Sequence, residues 1–314
     1  MRAFVPMIVC GVMITVTQAQ TELPSGTKSA FITTSDKVKI HYLEARPGPK
    51  QPTSTGLPSG KSKVRGVPTI LFVPGWMTPG WIWEKQIAHF SRNYRVVAMD
   101  PRSQGESSKP TDGHYPAARA RDIKSLVDQL KLAPVVLVTY TSSVTEAVSY
   151  VDQFGTNTLA GLVMVNGIAG RDYDQTTLSG LLSFANSFQL DRQKAANSFV
   201  RGLYKKPPSE DYINRMVRAT MQMPTDSAVA MLLGGIAADN RHALAKIDKP
   251  TLVVVSLIPW MQFYEDMQKR IPGSRMEIVE NAGHAAFVDE AARFNALLDA
   301  FLNVLIGTEN IITK

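Results

Sequence analysis

Two segments far apart in the chain carry side chains suited to nucleophilic and acid–base work. The stretch VVLVTYTSSVTEAVSYV, residues 135 to 151, runs apolar to Val138, breaks over Thr139, Tyr140, Thr141, Ser142 and Ser143, and restarts with helical spacing. Aliphatic hydroxyls thus crowd a strand-to-helix corner where sterics would favour glycine. Far downstream, His284 follows a short strand in a glycine-containing loop and precedes an amphipathic helix, in ENAGHAAFVDEAARFNALLDAFL. An imidazole that titrates near neutrality can take a proton from a hydroxyl and return it to a leaving group. A polar turn and a loop histidine satisfied by backbone carbonyls account for the same residues without chemistry. His41, His89, His114 and His242 fall on a strand, a helix face, a loop and the end of a helical stretch, and read as structural. No two of them have metal-ligand spacing and no acidic cluster accompanies them, so no metal or cofactor is expected.

The elements that must position these groups are legible from periodicity. TILFVPG, RVVAMD, PVVLVTY, AGLVMVN and TLVVVS are short apolar runs ending at turns, as strands buried on both faces should be. RMEIV adds one more, and SAFITTSDKVKIHYLEA alternates as two strands around TSDK. Between them, Ile123, Leu126, Val127 and Leu130 fall on one helical face, as do Phe294, Leu297, Leu298, Phe301, Leu302 and Leu305. Strand and helix alternation of this kind predicts an α/β fold, a mostly parallel, doubly wound sheet of about eight strands. Such sheets hold their chemistry at the carboxyl ends of the strands. Residues 168–249 interrupt the pattern with helical signals alone, including LSGLLSFANSF and the Met-rich INRMVRATMQMPTDSAVAMLLGG. They predict a helical cap inserted between core segments 20–167 and 250–314. The cap methionines suit core filling, and also a flexible apolar lining.

Five strand-end segments, FVPGW, AMDPRSQGESSKP, the polar corner, LVMVNG and ENAGHAAFVDEAARFN, together resemble the α/β-hydrolase fold from about Ser29 to Leu305. The resemblance implies that His284 is the general base and that the corner is the nucleophile elbow, written Gly-x-Ser-x-Gly in the family. The nucleophile position then falls on Thr141, with both glycines and the serine replaced. The backbone N–H groups of Trp76 and Ser142 become the oxyanion donors, and Trp76 and Tyr140 line the substrate pocket. The family's acid after TLVVVS is missing, since Ser256 to Pro259 contain no carboxylate. An alternative acid position matches Asn166, which can hold an imidazole by a hydrogen bond but cannot balance its charge. Trp81 and Trp83 are further candidates for the pocket wall, or for packing against the sheet. Asp100 reads as a structural partner of Arg102 and the adjacent turn.

The elbow substitutions pose a physical question. A β-branched residue at positive φ costs on the order of 1 to 3 kcal/mol. Either the corner has relaxed, or its neighbours hold the strain. Ser142 or Ser143 replaces Thr141 as nucleophile if the turn slips by one residue.

The chain has 314 residues, 44% apolar and 19% charged, enough to bury a large core. Its net charge of +7 is dispersed, without an arginine-rich helix or interleaved aromatics, so a nucleic-acid partner is not expected. The first 19 residues read as a cleaved export signal, with Cys10, the only cysteine, inside it. A secreted or periplasmic bacterial location follows, without stable membrane insertion after cleavage. The expected activity is hydrolysis of esters, lactones or related small apolar carbonyl substrates, weakened by the changes at the elbow and acid. A catalytically inactive ligand-binding or scaffold protein is the alternative, as is a lyase using His284 alone.

Overall fold

The structure, a computed structural model, describes residues 23–48, 66–256 and 258–307. The expected export signal, residues 1–19, lies outside the described residues, as does most of the Pro- and Gly-rich loop that follows the first two strands. An antiparallel hairpin begins the ordered elements: β1 (Lys28–Thr33) and β2 (Lys39–Ala45) pair from Lys28↔Glu44 to Thr33↔Lys39. The alternating part follows, with β3 (Thr69–Val73), α1 (Glu84–Phe90), β4 (Val96–Met99), α2 (Pro116–Gln129), β5 (Val135–Tyr140), α3 (Ser142–Phe154) and β6 (Leu159–Val165). Four helices then run without a strand between them: α4 (Gln175–Leu190), α5 (Arg192–Gly202), α6 (Glu210–Thr220) and α7 (Thr225–Ala237). The chain returns to the sheet through β7 (Thr251–Val255), α8 (Met261–Arg270), β8 (Arg275–Ile278), α9 (Ala286–Asp289) and α10 (Ala291–Ile306).

The eight strands form one sheet in the order β1-β2-β4-β3-β5-β6-β7-β8. The β1–β2 and β2–β4 pairs are antiparallel, and every other neighbouring pair is parallel. This is the architecture that the wholly apolar strands require. Ile70, Phe72, Val136, Val138 and Val165 point to one face, covered by α1, α10 and the cap; Leu71, Val73, Leu137, Leu162 and Met164 point to the other, under α2 and α3. Each such side chain contributes roughly 1.5–3 kcal/mol on burial, so a polar residue in these runs would expose the sheet on one side.

Local signals set the helices between β6 and β7. The side chains of Asp174, Asp191 and Ser209 accept the first-turn N–H groups of Thr177, Lys194 and Tyr212, which caps α4, α5 and α6. The Met-rich stretch splits at Pro224, whose ring cannot continue a helix, and Met216, Met223 and Met231 are buried around the break.

Asp100 does not partner Arg102. Its carboxylate accepts the N–H groups of Gly80 (2.5 Å) and Glu106 (2.9 Å) and pairs with His41 Nδ1 at 2.8 Å. With those oxygens occupied by the turn, the Arg102 fork takes both oxygens of buried Asp122, at 2.6 and 2.7 Å. That two-pronged geometry is the one a guanidinium favours.

Strand order fixes where a site can form. From β3 the chain moves outward to β4, then crosses back to place β5 on the other side of β3. The carboxyl ends of β3 and β5 therefore open onto a topological switch point, the usual place for a ligand crevice in an open parallel sheet. Trp76 follows β3 and Thr141 follows β5.

Candidate active site

Thr141 joins β5 to α3 with φ 50° and ψ −113°, so the corner keeps the strained backbone of an elbow despite its β-branched residue. The neighbours hold it there. Its N–H donates to the Val165 carbonyl at 2.8 Å, which ties it to β6, and its carbonyl accepts the Val144 N–H at 3.1 Å. Ser143 binds the corner from inside: its Oγ accepts the Tyr140 N–H at 2.7 Å and shares its proton between the Tyr140 and Val73 carbonyls, both at 3.0 Å. Thr139 Oγ1 donates to the Val163 carbonyl at 3.3 Å. The two hydroxyl residues that flank the corner are therefore spent on structure, and the turn has not slipped.

The glycines that the elbow lacks reappear beside it. A Cβ at Gly75 would lie 2.1 Å from Thr141 Cγ2, and a Cβ at Gly167 would lie 2.2 Å from the Thr141 carbonyl oxygen. Both contacts are far inside van der Waals distance. The close approach at this corner is accommodated by the turns after β3 and β6.

Trp76, the residue after Gly75, and Ser142, the first residue of α3, present their N–H groups at this corner. Neither N–H is bonded to another group among the described residues, as expected for the open turn and the free first turn of a helix. Ser142 Oγ is also buried without a partner. The Trp76 indole donates to the Ala228 carbonyl at 2.8 Å and packs against Phe184, Phe188 and Phe199, so it pins the turn after β3 to α4, α5 and α7.

His284 occupies the loop between β8 and α9. Asp289 accepts the Gly283 N–H at 2.7 Å and Ala285 donates to the Leu203 carbonyl at 2.8 Å, which fastens the loop to the end of α5. The imidazole lies 5.0 Å from the Tyr140 ring, tilted by 47°. Its Nδ1 is sealed from solvent and has no hydrogen-bond partner, although the residue keeps some surface open to the cavity. Burial of the ring, with no compensating charge, pulls its pKa down to about 4.

Asn166 was expected behind this ring and is not its partner. Its Nδ2 donates to the backbone carbonyl of His284 and to Ser256 Oγ, each at 2.7 Å, and its Oδ1 accepts the Ser256 N–H at 2.8 Å. Ser256 Oγ donates onward to the Gly283 carbonyl at 2.6 Å. The reason is that an amide can feed a carbonyl, as a carboxylate cannot. The corner where an acid would face the imidazole holds a neutral network that grips the loop's backbone. The role of Ser256 in it was not legible, because a serine after a strand carries no signal of its own.

Thr141, Ser142, Trp76, Tyr140, Asn166 and His284 all line one cavity of about 620 Å³ under the cap. Phe184, Phe199, Leu203, Met231 and Ile236 close it from above, which makes it predominantly apolar. Sequence reasoning at strand ends could not find these cap residues; the clustered phenylalanines of α4 and α5 were the available cue. Tyr140 contributes a buried phenol without a partner, whose pKa burial raises well above its ordinary value. Trp83 is not part of the wall: it is packed in the core between Phe72 and Phe287. Trp81 lies outside it too, under the Arg215 guanidinium at 3.7 Å.

Comparison with known proteins agrees with this architecture. The family model described as alpha/beta hydrolase fold matches residues 68–291. The AB hydrolase superfamily protein YisY of Bacillus subtilis is 24% identical over 249 residues, covering 74% of this chain and 91% of that protein. A pimeloyl-(acyl-carrier protein) methyl ester esterase of Neisseria meningitidis is 25% identical over 255 residues, covering 77% and 79% of the two. Among solved structures, the esterase EaEST from Exiguobacterium antarcticum superposes with a TM-score of 0.77 at 21% identity, over 88% of this chain and 100% of that one. The chain belongs to the α/β hydrolase fold family.

Proposed function

We propose that the protein is a slow hydrolase of ester or lactone bonds in small, largely apolar substrates, with Thr141 as nucleophile and His284 as base. The observation that carries this reading is the strain retained at Thr141. A positive φ at a β-branched residue costs about 1–3 kcal/mol, and strain of this kind, held by the surrounding structure, gathers at functional sites. The chemistry follows from the parts. Thr141 Oγ attacks the carbonyl carbon as its proton passes to His284, and the developing oxyanion is met by the N–H groups of Trp76 and Ser142. The same ring returns the proton to the leaving alcohol, and water then opens the acyl-threonine by the reverse steps.

The weak link is the imidazolium. With its pKa near 4 the ring is neutral and free to accept a proton at pH 7, but nothing balances the charge it would acquire. Loss of the balancing carboxylate costs a serine protease about 10⁴ in turnover, and a comparable deficit is expected here. The methyl of Thr141, facing Gly75, adds crowding beside the oxyanion turn. The relatives named as esterases support the bond type without fixing the substrate.

The bare Nδ1 of His284 favours a second reading, a ligand-binding protein that keeps the cavity and has lost turnover. A panel of short-chain aryl esters separates the two. Hydrolysis is expected to fall at least tenfold in both Thr141→Val and His284→Ala, and an aryl phosphonate is expected to label Thr141. Equal rates in all three proteins with no labelling leave the binding protein. Loss in His284→Ala alone indicates that the imidazole activates water directly, with no acyl-threonine.

A further inference from the structure

Two half-buried arginines, Arg171 and Arg192, meet no carboxylate among the described residues, and Arg192 donates instead to the Met221 and Met223 carbonyls. Arg102, Arg119 and Arg241 each meet a carboxylate, on Asp122, Glu146 and Asp239 respectively. Arg171 forms no ion pair among the described residues, although it is half-buried. Aromatic rings surround its guanidinium instead: Tyr173 and Trp260 at 4.8 Å and Phe263 at 4.1 Å from its central carbon. Its hydrogen bonds are long, 3.4 Å to the Asp172 carbonyl and 3.5 Å to Thr177 Oγ1, and leave most of its five donors unused. Of the nearby carboxylates, Asp172 pairs with Arg241, and Asp174 caps α4 through Thr177 while its charge also acts on Arg171 without closing to an ion pair.

Two of those rings, Tyr173 and Trp260, are walls of the cavity that holds Thr141 and His284. Arg171 itself does not line the cavity; its guanidinium lies against two of the lining rings, with three of its five donors unbonded among the described residues. A fixed fork with free N–H groups suits a carboxylate, which it can bind through two parallel hydrogen bonds.

We infer that Arg171, framed by Tyr173 and Trp260, is an anion-recognition site at the cavity margin, and that the preferred ligands are apolar chains bearing a carboxylate. The inference deepens the esterase reading by naming the substrate class, a carboxylate-bearing acyl ester, but the binding part stands without turnover.

The test begins with two probes that cannot be hydrolysed as esters, octanoate and octanamide, titrated calorimetrically into the full chain at pH 7. Octanoate is expected to bind about tenfold more tightly, the range for one charge-assisted pair at a partly open site. In Arg171→Met the preference is expected to vanish while octanamide affinity stays within twofold, which also shows that the cavity is intact. Arg171→Lys, which keeps the charge but loses the fork, is expected to fall between. A preference for octanoate that survives in Arg171→Met places the carboxylate elsewhere and overturns the site, as does equal binding of the two probes to the unaltered chain. Turnover is read separately. The KM for mono-p-nitrophenyl adipate is expected to rise about tenfold in Arg171→Met, with that for p-nitrophenyl hexanoate unchanged. Absence of hydrolysis in every protein sinks the esterase reading and leaves the probe titration to decide the site.

Discussion

The corner after β5 and the corner behind the imidazole both lack the residues that the family resemblance implies, and they differ in what remains. At the elbow the glycines and the serine are gone, yet Thr141 holds φ 50° and ψ −113°. Behind His284 the acid is gone, and the loop remains in place while Nδ1 faces nothing. Backbone geometry is over-determined: a ladder bond to Val165, the Ser143 hydroxyl, Gly75 and Gly167 each constrain the same turn. Charge is not. No combination of Asn166 and Ser256 can supply a negative group, however well they hold the backbone. At this site the shape is held where the charge is not.

The largest effect should therefore come from restoring charge. Ser256 follows β7, and its side chain already belongs to the network around the histidine loop. Ser256→Asp is expected to lift the His284 pKa from about 4 toward the ordinary imidazole range, because an opposite charge nearby favours the protonated ring. Hydrolysis of aryl esters at pH 7 should rise at least tenfold. Ser256→Asn, of the same size and uncharged, should do neither. The ring titration by NMR and the rate are both needed; a ring still titrating near 4 with an unchanged rate would break the comparison.

Shape can be attacked next. Gly75→Ala puts a methyl 2.1 Å from Thr141 Cγ2, so either the oxyanion turn or the elbow must move. The expected loss is about 3 kcal/mol in urea unfolding, within the range for overpacking, with hydrolysis abolished. Thr141→Ser removes the atom in conflict. Combined with Gly75→Ala it should recover about 1 kcal/mol, a coupling that only direct contact explains. Strictly additive losses would show that the elbow is not held in the way described.

The same contrast separates what sequence could and could not tell. Strand runs such as TILFV and VVLVTY specify a buried parallel sheet, because four consecutive apolar residues, Ile70 to Val73 and Val135 to Val138, leave neither face polar. The position of His284 after β8 follows from the sheet, since a loop at a strand's carboxyl end opens onto the crevice. The partner of Asn166 did not follow. Whether an amide meets an imidazole or the carbonyl of the same residue depends on a rotation of a few ångströms, which neither composition nor spacing encodes. Arg171 was invisible for a similar reason: its setting is built by Tyr173 from its own loop and by Trp260 and Phe263 from beyond β7.

The smallest effect is on stability and tests the bare imidazole directly. His284 titrates near 4 in the folded chain and near 6.5 when unfolded, so between those values the unfolded chain holds a proton that the folded chain lacks. Stability from this group is complete above about pH 6.5 and falls as pH drops toward 4. At about 1.4 kcal/mol for each pH step the full difference is near 3 kcal/mol, and the ring's partial contact with the cavity reduces the expected change to about 2 kcal/mol. His284→Gln shares every other titration, so the difference between the two unfolding profiles over this window isolates the ring. In Ser256→Asp the window should shrink, because the restored charge brings the folded pKa back toward the unfolded one. Identical profiles for the unaltered chain and His284→Gln would mean that the ring already has a partner in solution, and the electrostatic half of the contrast would fall while the geometric half stood.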